Sequence, residues 1–130
     1  MVGTDIIEVS RIEKLIKNKG YKFLNKVYTQ KEIDYCESKG PNKYQHYAGR
    51  FAAKEAIIKA WKTSNYNFKK IEIINDKDGV PKVEILTKYN NIFTIEISIS
   101  HIKAYATAFA LIHKGGSTVL SSSLNTLPKA

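Results

Sequence analysis

Apolar and polar positions follow two different rhythms along this 130-residue chain. It opens with VGTDII, a short β-branched apolar run that predicts a buried strand. The period then lengthens to that of helices. Ile12, Leu15 and Ile16 form one apolar stripe, and Gly20 closes that segment. YKFLNKVY predicts a second short helix. Thr29 and Glu32 stand at capping-box spacing, so TQKEIDYCESKG predicts a third helix, capped by Thr29 and ended near Gly40. KGPNK reads as a loop. A long helix is predicted from about Gln45 to about Lys62. Within it Ala53, Ala56, Ile57, Ala60 and Trp61 recur at helical spacing, while Arg50, Lys54, Glu55 and Lys59 fall together on the remaining surface.

In the second half the period switches to two. KKIEIIND alternates, DKDG is a turn, and VPKVEIL is the returning strand, with Pro81 near its start or on an edge. TIEISIS and AYATAFALI predict two more strands, separated by His101 and Lys103. One strand, several helices and then about four strands make an α+β pattern with a largely antiparallel sheet. No internal repeat divides it. Residues 1–113 are expected to form one domain. The Gly-, Ser- and Thr-rich stretch 114–130 is expected to be an extension outside the core, dispensable for the fold.

Composition narrows the class. With 43% hydrophobic and 25% charged residues the chain has the make-up of a soluble globular protein. No apolar run approaches the roughly 20 residues that span a bilayer. The start lacks the basic and long apolar regions of a secretory signal. A single cysteine, Cys36, excludes an internal disulfide framework and fits a reducing compartment. The expectation is a cytoplasmic protein with no membrane partner.

Charge adds a direction. Lysine and arginine total 21 against 12 acidic residues, for a net charge of +9. A chain this basic seeks anions: nucleic acid, acidic protein, anionic lipid or a phosphorylated small molecule. Only Arg11 and Arg50 among these cations are arginines, the side chain that contacts phosphate and carboxylate in bidentate fashion. One reading is a nucleic-acid-binding module, with the aromatics of KYQHYAGRF as a stacking surface. The basic residues, however, spread over the whole chain.

Three segments in register favour another reading. GTDIIEVSRI, GRFAAKEAIIKA and SISHIKAYATAFAL together resemble the holo-acyl-carrier-protein synthases, the small phosphopantetheinyl transferases. The DKDGVPKVEI hairpin fits the region between them, and the resemblance covers about residues 2 to 112. It implies a compact α+β domain of ferredoxin-like kind that assembles as a homotrimer, with active sites between subunits. It implies an enzyme of fatty acid biosynthesis that moves 4′-phosphopantetheine from coenzyme A to a serine of an acidic acyl carrier protein, releasing adenosine 3′,5′-bisphosphate.

The resemblance also implies a site. Asp5 and Glu55 would be the two carboxylate ligands of magnesium, an ion that binds few carboxylates and completes its octahedron with water and phosphate oxygens. Lys59 would neutralise the pyrophosphate as charge moves to the leaving oxygen. Arg50 and Lys54 would contact phosphates of coenzyme A, and His101 would stand near them. Arg11 and Lys14 would orient the carrier protein, with Lys22 and Lys26 beyond, and Phe51 would offer either substrate an apolar contact. Each has a plainer reading beside it. Asp5 could cap the following helix, and Glu55 and Lys59 could form an i, i+4 pair worth about 0.2–0.5 kcal/mol. Lys54, Lys14 and the other lysines could be solvated, Arg50 ion-paired, His101 structural and Phe51 part of the core. The sequence leaves open which group accepts the serine proton. One departure stands out: the family's glycine-bearing turn after the signature helix is here KTSNYN, Lys62 to Asn67.

Overall fold

A computed structural model describes residues 1–63, 66–87 and 93–114. Of the expected extension 114–130, Lys114 ends a strand and the rest lies outside the described residues, as do Ser64 and Asn65 within the KTSNYN turn. Among the described residues five strands and four α-helices follow in the order β1 (Val2–Glu8), α1 (Val9–Lys19), α2 (Tyr21–Val27), α3 (Gln30–Glu37), α4 (Lys43–Trp61), β2 (Ile71–Asn75), β3 (Pro81–Ile85), β4 (Phe93–His101) and β5 (Tyr105–Lys114). The class is α+β, as the pattern predicted. The capping box forms as expected: Glu32 N donates to Thr29 Oγ1 and Thr29 N to Glu32 Oε1. KGPNK contains a 3₁₀ turn at Gly40–Asn42, and α4 begins at Lys43, earlier than its apolar stripe suggested.

The strands form two antiparallel sheets rather than one. β1, β5 and β4 make a three-stranded sheet in that order, and β2 pairs with β3 as a separate hairpin. Helix α4 lies across the inner face of the larger sheet, against Gly3, Ile7, Ala106, Ala108, Ala110 and Ile112. Small residues at these positions let helix and sheet backbones approach closely. A Cβ on Gly3 would collide with the Ala56 carbonyl oxygen and the Ala60 nitrogen, so glycine is required there. On its other sides α4 meets α1 and α3.

This packing leaves α4 no continuous solvent face. Tyr47 to Arg50, Ala52 to Lys54, Ala56, Ile57 and Ala60 are all buried. The expectation that Arg50, Lys54, Glu55 and Lys59 share one exposed surface is corrected. A central helix sends them in different directions, because positions four apart share a face and adjacent ones do not. The KYQHYAGRF aromatics meet the same fate. Tyr47 is fully buried and donates to Glu37 Oε2 at 2.7 Å, while Tyr44, His46 and Phe51 are each partly buried, so the four do not form one open stacking surface.

Candidate active site

Phe51, Glu55 and Lys59 recur one turn apart on the α4 face that looks toward β1 and α1. Together with Asp5, Ile6, Ile7, Arg11 and Leu15 they line a cavity of about 270 Å³. Five predicted site residues, drawn from three elements, thus converge: Asp5, Arg11, Phe51, Glu55 and Lys59. Phe51 serves core and cavity together, since its ring also stacks on Phe68 with centroids 5.6 Å apart. Lys14 is exposed on α1 and lines neither cavity described here.

Two of the plainer alternatives fall away. Asp5 lies inside β1, and the residue at the N-terminus of α1 is Glu8, with no side-chain cap. Lys59 Nζ is 2.9 Å from Asp5 Oδ1, so its ion pair is made across the cavity with Asp5 and not along the helix with Glu55. Asp5 is anchored by pairing opposite Ala108, and its carbonyl accepts a hydrogen bond from Thr107 Oγ1 at 2.9 Å. Burial raises the pKa of Glu55, the charge of Asp5 raises it further, and Lys59 opposes the shift. Two carboxylates therefore face one cavity with one lysine between them. Arg11 on the rim balances the second carboxylate, so the case for a cation rests on the donor set: two carboxylates on one cavity are what magnesium takes alongside water and phosphate. The residues fit the ion.

Lys54 is corrected. Its side chain is fully buried, and its three ammonium protons are used by Val27 O at 2.6 Å, Glu32 Oε1 at 2.6 Å and Phe68 O at 3.1 Å. Burial lowers its pKa, and Glu32 opposes that shift. With no donor left over, it cannot serve a phosphate. It ties α4 to α2, to α3 and to the segment before β2, while Glu32 Oε2 accepts from Ile73 N at 2.8 Å.

Arg50 and His101 belong to a second cavity, of about 170 Å³, beside Tyr35, His46, Gly49 and Asn75. It opens at the β4 edge of the sheet, whereas Asp5 is on β1 at the opposite edge, two strand spacings or roughly 10 Å away. Arg50 is 4% exposed, and its Nη2 donates to Asn75 Oδ1 at 2.9 Å. His101 Nδ1 is 2.9 Å from Gln45 Oε1. His46 packs edge-on against His101, ring centroids 4.9 Å apart. Its pKa is lowered to about 4, first by burial and then by His101, Lys39 and Arg50. No acidic residue stands beside Arg50 in the lining of the cavity. Sequence reasoning missed Tyr35, His46 and Asn75. The i, i+4 spacing of His46 and Arg50 was a usable signal; nothing local pointed to the other two.

A profile of the 4′-phosphopantetheinyl transferase superfamily matches residues 1–110. The chain is 49% identical over 126 residues to a holo-[acyl-carrier-protein] synthase of Ruminiclostridium cellulolyticum, covering 90% of this chain and 94% of that one. Among solved structures it is similar to the holo-(acyl-carrier-protein) synthase of Bacillus anthracis in complex with CoA (3′,5′-ADP), with a TM-score of 0.76 at 36% identity over 88% of this chain and 96% of that one. The Helicobacter pylori holo-[acyl-carrier-protein] synthase in complex with coenzyme A gives a TM-score of 0.77 at 32% identity over 87% of this chain and 100% of that one. The chain belongs to the 4′-phosphopantetheinyl transferase superfamily.

Proposed function

We propose that this chain transfers 4′-phosphopantetheine from coenzyme A to a serine of apo-acyl carrier protein and thereby supports fatty acid biosynthesis in the cytoplasm. The observation that carries this reading is the convergence of Asp5, Glu55 and Lys59 on one cavity, in a chain whose relatives are synthases of this kind. In the reaction the serine hydroxyl gives up its proton to a site carboxylate or to water, its oxygen bonds to the β-phosphorus of the pyrophosphate, and the bond from that phosphorus to the bridging oxygen breaks. Adenosine 3′,5′-bisphosphate leaves with the electron pair. Such a transfer needs alignment and charge neutralisation more than covalent help.

Asp5 and Glu55 would hold magnesium, which when bound supplies neutralisation of the pyrophosphate charge. Lys59 stands beside Asp5 and adds a cation where charge develops. Arg11 on the cavity rim, with the exposed Lys14 further along α1, orients an acidic carrier. Arg50 and His101 receive a phosphate of coenzyme A in the second cavity.

A homotrimer belongs to the same proposal. The outer face of the three-stranded sheet carries Ile6, 67% exposed, with Val2, Tyr105 and Phe109 also exposed. Copies of this chain cover that face. Because the two cavities sit at opposite sheet edges, assembly lets one subunit supply Asp5, Glu55 and Lys59 and its neighbour supply Arg50 and His101. Light scattering on the intact chain and on Phe109→Lys tests the assembly; a monodisperse monomer in both removes it.

The reaction is tested by incubation with coenzyme A, magnesium and an apo-carrier protein, followed by intact mass. A gain of one phosphopantetheine on the carrier is expected, and an unchanged carrier mass would refute the transfer.

A further inference from the structure

Arg50 is held by two elements that sequence reasoning did not connect to it. Its guanidinium carbon lies 3.9 Å from the centroid of the Tyr35 ring, on α3. Its Nη2 donates to Asn75 Oδ1 at 2.9 Å, at the end of β2. Asn75 is held in turn: its Nδ2 lies 3.2 Å from both Tyr35 Oη and Gly79 O. Asn75 pairs opposite Pro81, so the register of the β2–β3 hairpin sets where its amide stands. The Nε of Arg50 is buried and has no hydrogen-bond partner among the described residues.

We propose that Asn75 and Tyr35 are positioning residues that hold the Arg50 guanidinium for an anionic group of coenzyme A. The inference rests on the transfer reading for the identity of that anion. A guanidinium is a planar fork of five donors. Asn75 takes one donor, Nη2, and Tyr35 covers one face, and this fixes the plane in which the remaining donors lie. The choice of partner matters. An amide oxygen accepts a hydrogen bond without cancelling charge, so Arg50 stays a full cation beside the cavity. A carboxylate at the same place would grip it as well and neutralise it. A buried donor left without an acceptor is costly, and an anion entering the cavity would satisfy it. Holding the fork in advance also reduces the entropy lost on binding.

The test measures calorimetric binding of adenosine 3′,5′-bisphosphate alongside steady-state transfer, on the full chain. Asn75→Ala should raise Kd for the bisphosphate and KM for coenzyme A about tenfold, with kcat within about twofold, because ground-state and transition-state binding are lost together. Asn75→Asp should weaken binding as much, although it retains an acceptor. Tyr35→Phe, which keeps the ring face, should lose about two- to threefold, and Tyr35→Leu about as much as Asn75→Ala. In an Arg50→Ala background none of these changes should add a further loss.

An undiminished effect of Asn75→Ala in that background would overturn the proposal. So would tolerance of Asn75→Asp, or an Arg50→Ala chain that binds the bisphosphate normally. If Asn75→Ala fails to fold, Tyr35→Phe and Asn75→Asp carry the same test. An unmodified carrier together with bisphosphate binding that depends on Arg50 and Asn75 would sink the transfer reading and leave this one standing.

Discussion

Lys59 Nζ lies 2.9 Å from Asp5 Oδ1, although 54 positions separate them in sequence. The bond joins the last turns of α4 to the middle of β1 and closes one side of the cavity that Glu55 also lines. Because Lys59 is half exposed, the pair itself adds little to stability. Its significance is where it puts two carboxylates and a cation.

Glu55→Gln should lower single-turnover transfer by about 100-fold or more, the scale of losing one electrostatic stabiliser at a reacting centre. The fold should not suffer. The pKa of Glu55 is raised in the folded chain, so its ionised form opposes folding above the ordinary carboxylate range. The glutamine variant should melt at or above the parent at neutral pH, and the difference should vanish in acid. A folded variant with near-normal turnover would return Glu55 to a surface role.

Lys59→Ala should reduce kcat more than it raises KM for coenzyme A. It should also push the pKa of Glu55 further up, since Lys59 is the group that lowers it. The acid limb of the rate profile then begins at higher pH. Carboxyl NMR of Glu55 in parent and variant checks the direction; a downward shift would contradict the arrangement.

Lys54→Met should cost about 3–5 kcal/mol in urea unfolding, because it leaves Glu32 buried without its partner. At temperatures where the variant is folded, KM for coenzyme A should match the parent. A raised KM with unchanged stability would restore Lys54 to a phosphate role.

Lys62 caps α4 in the left-handed region, with φ of 56°, where a side chain is strained. Lys62→Gly, which removes the Cβ from a left-handed position, should gain about 0.5–1 kcal/mol of stability. Denaturant midpoints at equal slope measure it.

His46 has a pKa of about 4 in the folded chain against 6.5 ordinarily. An unfolded chain binds its proton first, so this group contributes stability above pH 6.5 that is lost as pH falls toward 4. An anion in the cavity would raise that pKa, so bisphosphate binding should tighten as pH falls below neutrality. In His46→Gln that dependence should weaken; calorimetry across pH 5 to 8 reads it.

The local pattern determined much of this protein. Period-two alternation after Asn67 located β2 to β5, the Thr29–Glu32 spacing located α3, and the signature around Glu55 led to the family. These are statements about neighbours in sequence, where geometry is set by the backbone period. Partnership across the fold was decided only by tertiary packing. Burial of the α4 face that carries Lys54 turned that lysine from a candidate phosphate contact into an internal strut, and its partner Glu32 looked from the sequence like a capping residue alone. The hairpin register brought Asn75 to Arg50, and strand order put Asp5 and His101 on opposite edges of one sheet. Charge and helical period predict which residues can meet an anion; which of them are left with donors to spare depends on what the rest of the chain has already taken.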